Sequence, residues 1–238
     1  MSITDYKSRY KLKKGKVLSY KETWHYRFSV PISIELVVFF TNHKVLNSVF
    51  LHNYLTEKMS RVLNKYNFIF KQIEFSHSPI DYNGEIITEE HAGEIRTIAG
   101  QIYERQGYMN EITHRRIFII YAPINESKIM GNCFHGVGGF FPFIIINTNK
   151  FDTFFKSDGI TLLHEIGHSV NLKHSPRTNK SVIEDIMMTP DEDFKTPFTD
   201  FNRINISRIQ AENFLNSDFT FIENNDVIGL PEIPRISL

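Results

Sequence analysis

The chain has 238 residues, 41% of them hydrophobic and 13% aromatic, which is enough apolar sequence for one large core. Its 27 basic and 27 acidic residues cancel, and this excludes nucleic-acid binding through an overall positive field. With one cysteine, Cys133, no intrachain disulfide framework exists, so nothing argues for an oxidising compartment.

The chain opens on a basic stretch, Lys7–Lys16, which reads as a solvated arm. No apolar run follows it, so it does not read as a secretory signal. Residues 17–30 predict a strand or hairpin. Ser33–Asn42 (SIELVVFFTN) is short, continuous, β-branched and aromatic, as in a buried strand. The period then changes. From Lys44 to Tyr66 the residues Val45, Val49, Leu55, Met59, Val62 and Leu63 recur at steps of three and four, predicting an amphipathic helix. Phe68–Phe75 returns to strand, and SPIDYNG after it is turn chemistry.

Thr88–Gln106 predicts a second helix with Ala92, Ile95, Ala99, Ile102 and Tyr103 on one side and Thr88 as its N-cap. Arg115–Ile124 is a strong strand. Gly131–Gly139 (GNCFHGVGG) reads as a glycine-rich loop, and Phe140–Asn149 as a further strand. Pro142, which has no N–H to give, favours an edge position or a bulge there. A helix is expected from Asp158 to Val170, then loops, then a last helix over Asn205–Ser217. The longest apolar runs, ELVVFF and FFPFIII, are too short to span a bilayer. This order implies an α/β sandwich with a mixed sheet. No linker divides it, so residues 1–238 read as one domain with 1–32 as an N-terminal extension.

The chemistry sits in LHEIGHSVNLKHS, Leu163–Ser175. His164 and His168 are four apart, one turn apart on the same helix face. Two imidazoles so placed bind one divalent cation, zinc by default. Glu165 follows the first ligand, and its carboxylate lies beside the metal rather than on it, within reach of a water that the metal acidifies. His174 comes six residues after His168. The helix must stop between them for the third ring to swing back, and Asn171 stands where a residue tolerant of positive φ is required. Three histidines leave a fourth position open, as a catalytic zinc site requires. The alternative is a histidine-rich helix with no metal.

HEIGHSVNLKH followed by DIMMTP (Asp185–Pro190) resembles the metzincin metallopeptidases, whose pattern is HExxHxxGxxH and then a methionine turn. Ser175 after the third histidine and the Met-x-Pro turn look most like matrix-metalloproteinase-type members. The resemblance implies an α/β (α+β) zincin-like fold: a mixed twisted sheet with an edge strand over the cleft, an active-site helix, a Met-turn and a C-terminal helix. It implies one catalytic Zn2+ on His164, His168 and His174, with Glu165 as general base. Met188, ahead of Met187, would be the Met-turn residue. Asn171 departs from the usual Gly, and Pro190 stands where some members carry a ligand tyrosine. No propeptide cysteine is present.

By the same resemblance, the strand before the active-site helix would be the sheet edge. The backbone of Gly138, Gly139, Phe140 and Phe141 would then hold an extended protein or peptide substrate, with His135 as a further contact. Asp193–Arg203 would line the specificity pocket. The partner implied is that substrate, with no nucleic acid and no membrane, and the chain is expected to be a monomer. Such peptidases are mostly secreted, and an intracellular enzyme stays open.

Two other readings remain: a zinc-binding pseudoprotease or interaction protein, and a zinc hydrolase of a non-protein amide. Cys133 reads as a small, partly buried residue rather than a thiolate ligand. His25, His43, His52, His77, His91 and His114 have no ligand spacing and read as surface or satisfied core histidines. Trp24 reads as packing. Glu184, Asp185 and Asp191–Asp193 read as a solvated acidic loop, without the spacing of a calcium site.

Overall fold

A computed structural model describes residues 32–42, 45–64, 68–75, 79–105, 116–126, 129–137, 142–153, 160–175, 184–187, 204–207, 210, 213–214, 217 and 219–222. The elements in order are β1 (Ile32–Phe40), α1 (Val45–Leu63), β2 (Phe68–Phe75), α2 (Glu89–Arg105), β3 (Ile117–Ala122), β4 (Gly131–Phe134), β5 (Phe143–Asn147), α3 (Thr161–Ser169), β6 (Glu184–Asp185), β7 (Ile204–Asn205) and β8 (Thr220–Ile222). The predicted strand or hairpin over 17–30 lies outside the described residues.

The strands lie in the order β2-β1-β3-β5-β4. β1 is parallel to β2 and β3, and β3 is parallel to β5. β4 then runs antiparallel to β5, so the sheet is mixed. β3 meets β1 only from Leu36 onward, and β8 pairs antiparallel with β1 at Ile32–Ile34. Helices cover both faces, which is why the strands read as unbroken apolar runs. Alternate residues sort the core cleanly. Leu36, Val38, Phe40, Ile119, Tyr121, Ile144 and Ile146 pack with α1 and α3. Val37, Phe39, Phe118, Ile120, Phe143 and Ile145 pack with α2.

α1 buries Leu51, Leu55, Met59, Val62 and Leu63, close to the predicted stripe. Its His52 is a satisfied core histidine, with Nδ1 2.9 Å from the Tyr121 hydroxyl. α2 begins after Thr88, whose Oγ1 accepts the His91 N–H at 3.3 Å, the predicted cap. Its Ala92, Ile95, Ala99 and Tyr103 are buried, while Ile102 is only partly so. Below α2, Arg116 Nε donates to the buried Glu35 carboxylate at 2.9 Å, and the Arg116 guanidinium also reaches the Tyr103 hydroxyl.

Six expectations are corrected. The glycine-rich segment from Gly131 is not all loop: its first four residues form β4. The edge next to α3 is therefore β4, and β5 lies inside the sheet between β3 and β4. Pro142 sits just before the first paired residue of β5, where no ladder hydrogen bond is asked of it. α3 starts at Thr161 rather than Asp158.

The last helix does not begin at Asn205, which pairs in β7 with Asp185. The segment that reads as an acidic loop thus contributes β6 at Glu184–Asp185. Helical residues appear at 210 and 213–214, after Ser207. Ser207 and Gln210 form a reciprocal capping box: the Ser207 N–H donates to Gln210 Oε1 at 2.8 Å, and the Gln210 N–H donates to Ser207 Oγ at 3.3 Å. No helix among the described residues is long and apolar enough to cross a membrane.

Candidate metal centre

α3 is short and two-sided. Leu162, Leu163 and Ile166 are buried in the core, while His164 and His168 remain partly exposed on the other side. Burying each aliphatic side chain contributes about 1.5–3 kcal/mol, which holds this nine-residue helix down.

The helix stops as the sequence demands. Asn171 has φ 65°, and it is the one non-glycine residue with positive φ among those described. The Leu172 N–H returns to the Gly167 carbonyl at 3.0 Å, and the Asn171 N–H to the His168 carbonyl at 2.8 Å. These two bonds are the Schellman closure, with Asn171 in the left-handed place and Leu172 folding back onto the last turn. A Cβ on Gly167 would lie 3.4 Å from Leu172 Cδ1 and would run into the Met187 sulfur.

The reversal returns His174 to the helix. Its Nε2 lies 3.2 Å from His164 Nε2 and 3.0 Å from His168 Nε2. Ligands on a tetrahedral zinc at 2.0–2.1 Å are separated by about 3.3 Å, so the spacing fits one small cation. The other ring nitrogens fix the tautomers. His164 Nδ1 meets the Ile186 carbonyl at 2.8 Å, and His168 Nδ1 meets the Leu172 carbonyl at 2.8 Å. A carbonyl only accepts, so each Nδ1 carries the proton and each Nε2 presents a lone pair. Both lone pairs face His174 Nε2, at 3.2 and 3.0 Å.

Burial pushes the His164 pKa down to about 4, and the two neighbouring rings push the same way while the Ile186 carbonyl opposes. His168 is lowered mainly by burial too. Both rings are thus held neutral, as ligands must be. His164, His168 and His174 form the group able to hold a metal ion among the described residues, and Glu165 is not in it.

Glu165 is buried against β4. The Cys133 backbone N–H bonds to its carboxylate, and Gly131 lets the strand approach, since a Cβ there would lie 3.2 Å from Glu165 Cγ. Burial raises the Glu165 pKa to about 8, and the Cys133 N–H only partly offsets this. An acid so placed is neutral near pH 7 until positive charge stands beside it.

His135 is exposed just past β4, with Nε2 3.5 Å from Cys133 Sγ. Cys133 is partly buried against the core and outside the ligand group. Met188, Gly138, Gly139, Phe140, Phe141, residues 193–203, and His25, His43, His77 and His114 lie outside the described residues. His91 is a surface histidine whose Nδ1 accepts the Ile87 N–H at 3.4 Å.

The motif alone does not reveal four parts of this site: the carbonyls of Ile186 and Leu172, the Cys133 N–H and the packing of Met187. Met187 is fully buried, its carbonyl accepts the Ser175 N–H at 3.0 Å, and its sulfur rests on Gly167. The glycine inside HEIGH is the one local signal that something packs there.

No family model matches the chain, and no curated protein matches it. Among solved structures it is similar to metalloproteinase-II from Bacteroides fragilis, with TM-score 0.46 and 16% identity, over 91% of this chain and 60% of that one. The chain thus spans about 60% of that structure's length.

Proposed function

We propose that the chain is a zinc-dependent endopeptidase of metzincin type. The observation that carries this reading is the convergence of three histidine Nε2 atoms beside a buried carboxylic acid, Glu165, that is outside their group. A structural zinc site has no use for that acid. His164, His168 and His174 would hold the ion, with the Ile186 and Leu172 carbonyls setting ring orientation.

Bound zinc supplies Lewis acidity, polarising the scissile carbonyl and acidifying the attacking water. Glu165 takes the proton of that water on its carboxylate and passes it to the departing amine nitrogen. Its burial against β4 keeps bulk water away from the proton being moved, and the Cys133 N–H holds the carboxylate in place. Met187 beneath Gly167, together with Met188 by the resemblance, forms the floor of the site. An extended substrate would lie along β4, the outermost strand on this side of the sheet.

The test is cleavage of a mixed peptide library by wild type and Glu165→Gln, with and without a chelator. Chelator-sensitive cleavage by wild type alone is the expected result. Full activity in Glu165→Gln overturns the mechanism, and cleavage by neither protein overturns the peptidase reading.

A further inference from the structure

The two carbonyls that meet the histidine rings have different origins. His168 Nδ1 meets Leu172, 4 residues on in the turn that closes α3, whereas His164 Nδ1 meets Ile186, 22 residues on. α3 and its turn therefore cannot set where the Ile186 carbonyl stands. Another part of the chain must.

Burial does part of this. Ile186 and Met187 are fully buried in the core cluster that holds Leu162, Leu163 and Ile166 of α3. The hydrophobic effect has no direction, so it seats the side chain without aiming the carbonyl. Hydrogen bonds supply direction. After Ile186, the Met187 carbonyl accepts the Ser175 N–H at 3.0 Å. Before it, Glu184 and Asp185 pair in parallel with Ile204 and Asn205. The Ile186 carbonyl thus lies between two anchored neighbours. β7 is itself held, since the next residue, Ile206, is 1% exposed in the same core. The Ser207–Gln210 capping box follows at once.

We propose that β7, Ile204–Asn205, is a positioning element of the metal centre: by pairing with Glu184–Asp185 it fixes the Ile186 carbonyl that orients His164. This rests on the metal-binding reading, and it gives that site a strand that the zinc motif does not contain.

The bonds of a parallel ladder alternate along each strand, so either Ile204 or Asn205 donates its N–H across this one. Ile204→Pro and Asn205→Pro between them therefore remove a ladder bond, while Ile204→Ala and Asn205→Ala keep both N–H groups. Losing the partner that orients a ligand lowers metal affinity by about 10–100-fold. At least one proline variant should show that loss in calorimetric zinc titration, and both alanine variants should bind as wild type does. The second readout is the Nδ1 proton of each ring in the metal-free protein, followed by NMR. In the weakly binding proline variant the His164 proton should exchange rapidly with water. The His168 proton, held by Leu172, should stay protected.

Wild-type zinc affinity in both proline variants overturns the inference. So does a loss of affinity that the alanine variants share. A loss of affinity with the His164 proton still protected, or with both protons exposed, overturns it too, because the ladder then does not act through Ile186. If either proline variant fails to fold, amide exchange of wild type decides: the ladder amides should exchange more slowly with zinc than without, and equal rates overturn the inference. If wild type binds no zinc, the metal-binding reading falls and this inference falls with it.

Discussion

The Nδ1 of His168 meets the carbonyl of Leu172 at 2.8 Å, so the turn that ends α3 also orients one of the three rings able to hold a metal ion. The same turn returns His174 to within 3.0 Å of His168 Nε2. Both results depend on Asn171 holding φ at 65°. A residue that resists this conformation disturbs helix end, ring orientation and the return of His174 together.

Asn171→Gly is therefore expected to keep stability and metal affinity near wild type. Asn171→Val should cost about 1–2 kcal/mol, because a β-branched side chain clashes in the left-handed region. It should weaken zinc binding as well. Urea midpoints and zinc titration of the two variants check this, and a Val variant with wild-type zinc affinity would contradict it.

Gly167→Ala introduces a methyl group where the Met187 sulfur sits. Overpacking of this kind costs about 1–3 kcal/mol. Trimming the partner should relieve it, so Gly167→Ala is expected to be less harmful in a Met187→Ala background than in wild type. A double-mutant cycle of unfolding free energies measures the coupling, and simple additivity would show that the two do not touch.

The metal-free protein should lose stability as pH rises from 6.5 to 8. Glu165 has a folded pKa of about 8 against an ordinary 4.5, so between those values the folded state binds more protons than the unfolded state and stability falls with rising pH. His164, lowered from 6.5 to about 4, acts oppositely, but only below pH 6.5. Glu165→Gln should remove the loss above pH 6.5. Denaturant midpoints in chelator across pH 5 to 8.5 provide the test, and equal slopes in both proteins would count against a buried neutral Glu165.

Arg116→Met removes the cation beside Glu35, two side chains with 12% and 7% exposure. Leaving one charge of a buried pair unmatched costs about 3–5 kcal/mol. The double variant Glu35→Leu, Arg116→Met should be less destabilised than Arg116→Met. Zinc binding should be unaffected in both, since the pair lies on the α2 side of the sheet.

The parts of this site that depend on local chemistry are legible in the sequence. The 3.6-residue period places His164 and His168 on one face, and Asn171 is read correctly because the left-handed region admits few residues. The periods that mark α1 and α2 hold for the same reason. What escapes is non-local. Gly131–Phe134 reads as loop because glycine and asparagine carry little strand propensity, yet pairing with the strong strand β5 makes it the sheet edge. Glu184–Asp185 pairs with Ile204–Asn205 across a long sequence gap, and no short pattern announces that. The Ile186 carbonyl that orients His164 is invisible for the same reason: a main-chain acceptor has no residue signature.

The central claim is that three imidazoles on this turn hold one metal ion. The most direct measurement is calorimetric titration of zinc into metal-free wild type, Glu165→Gln and His168→Ala. Wild type and Glu165→Gln should each take up about one ion per chain at high affinity, and His168→Ala should not. Absence of binding in wild type, or equal binding by His168→Ala, would contradict the account.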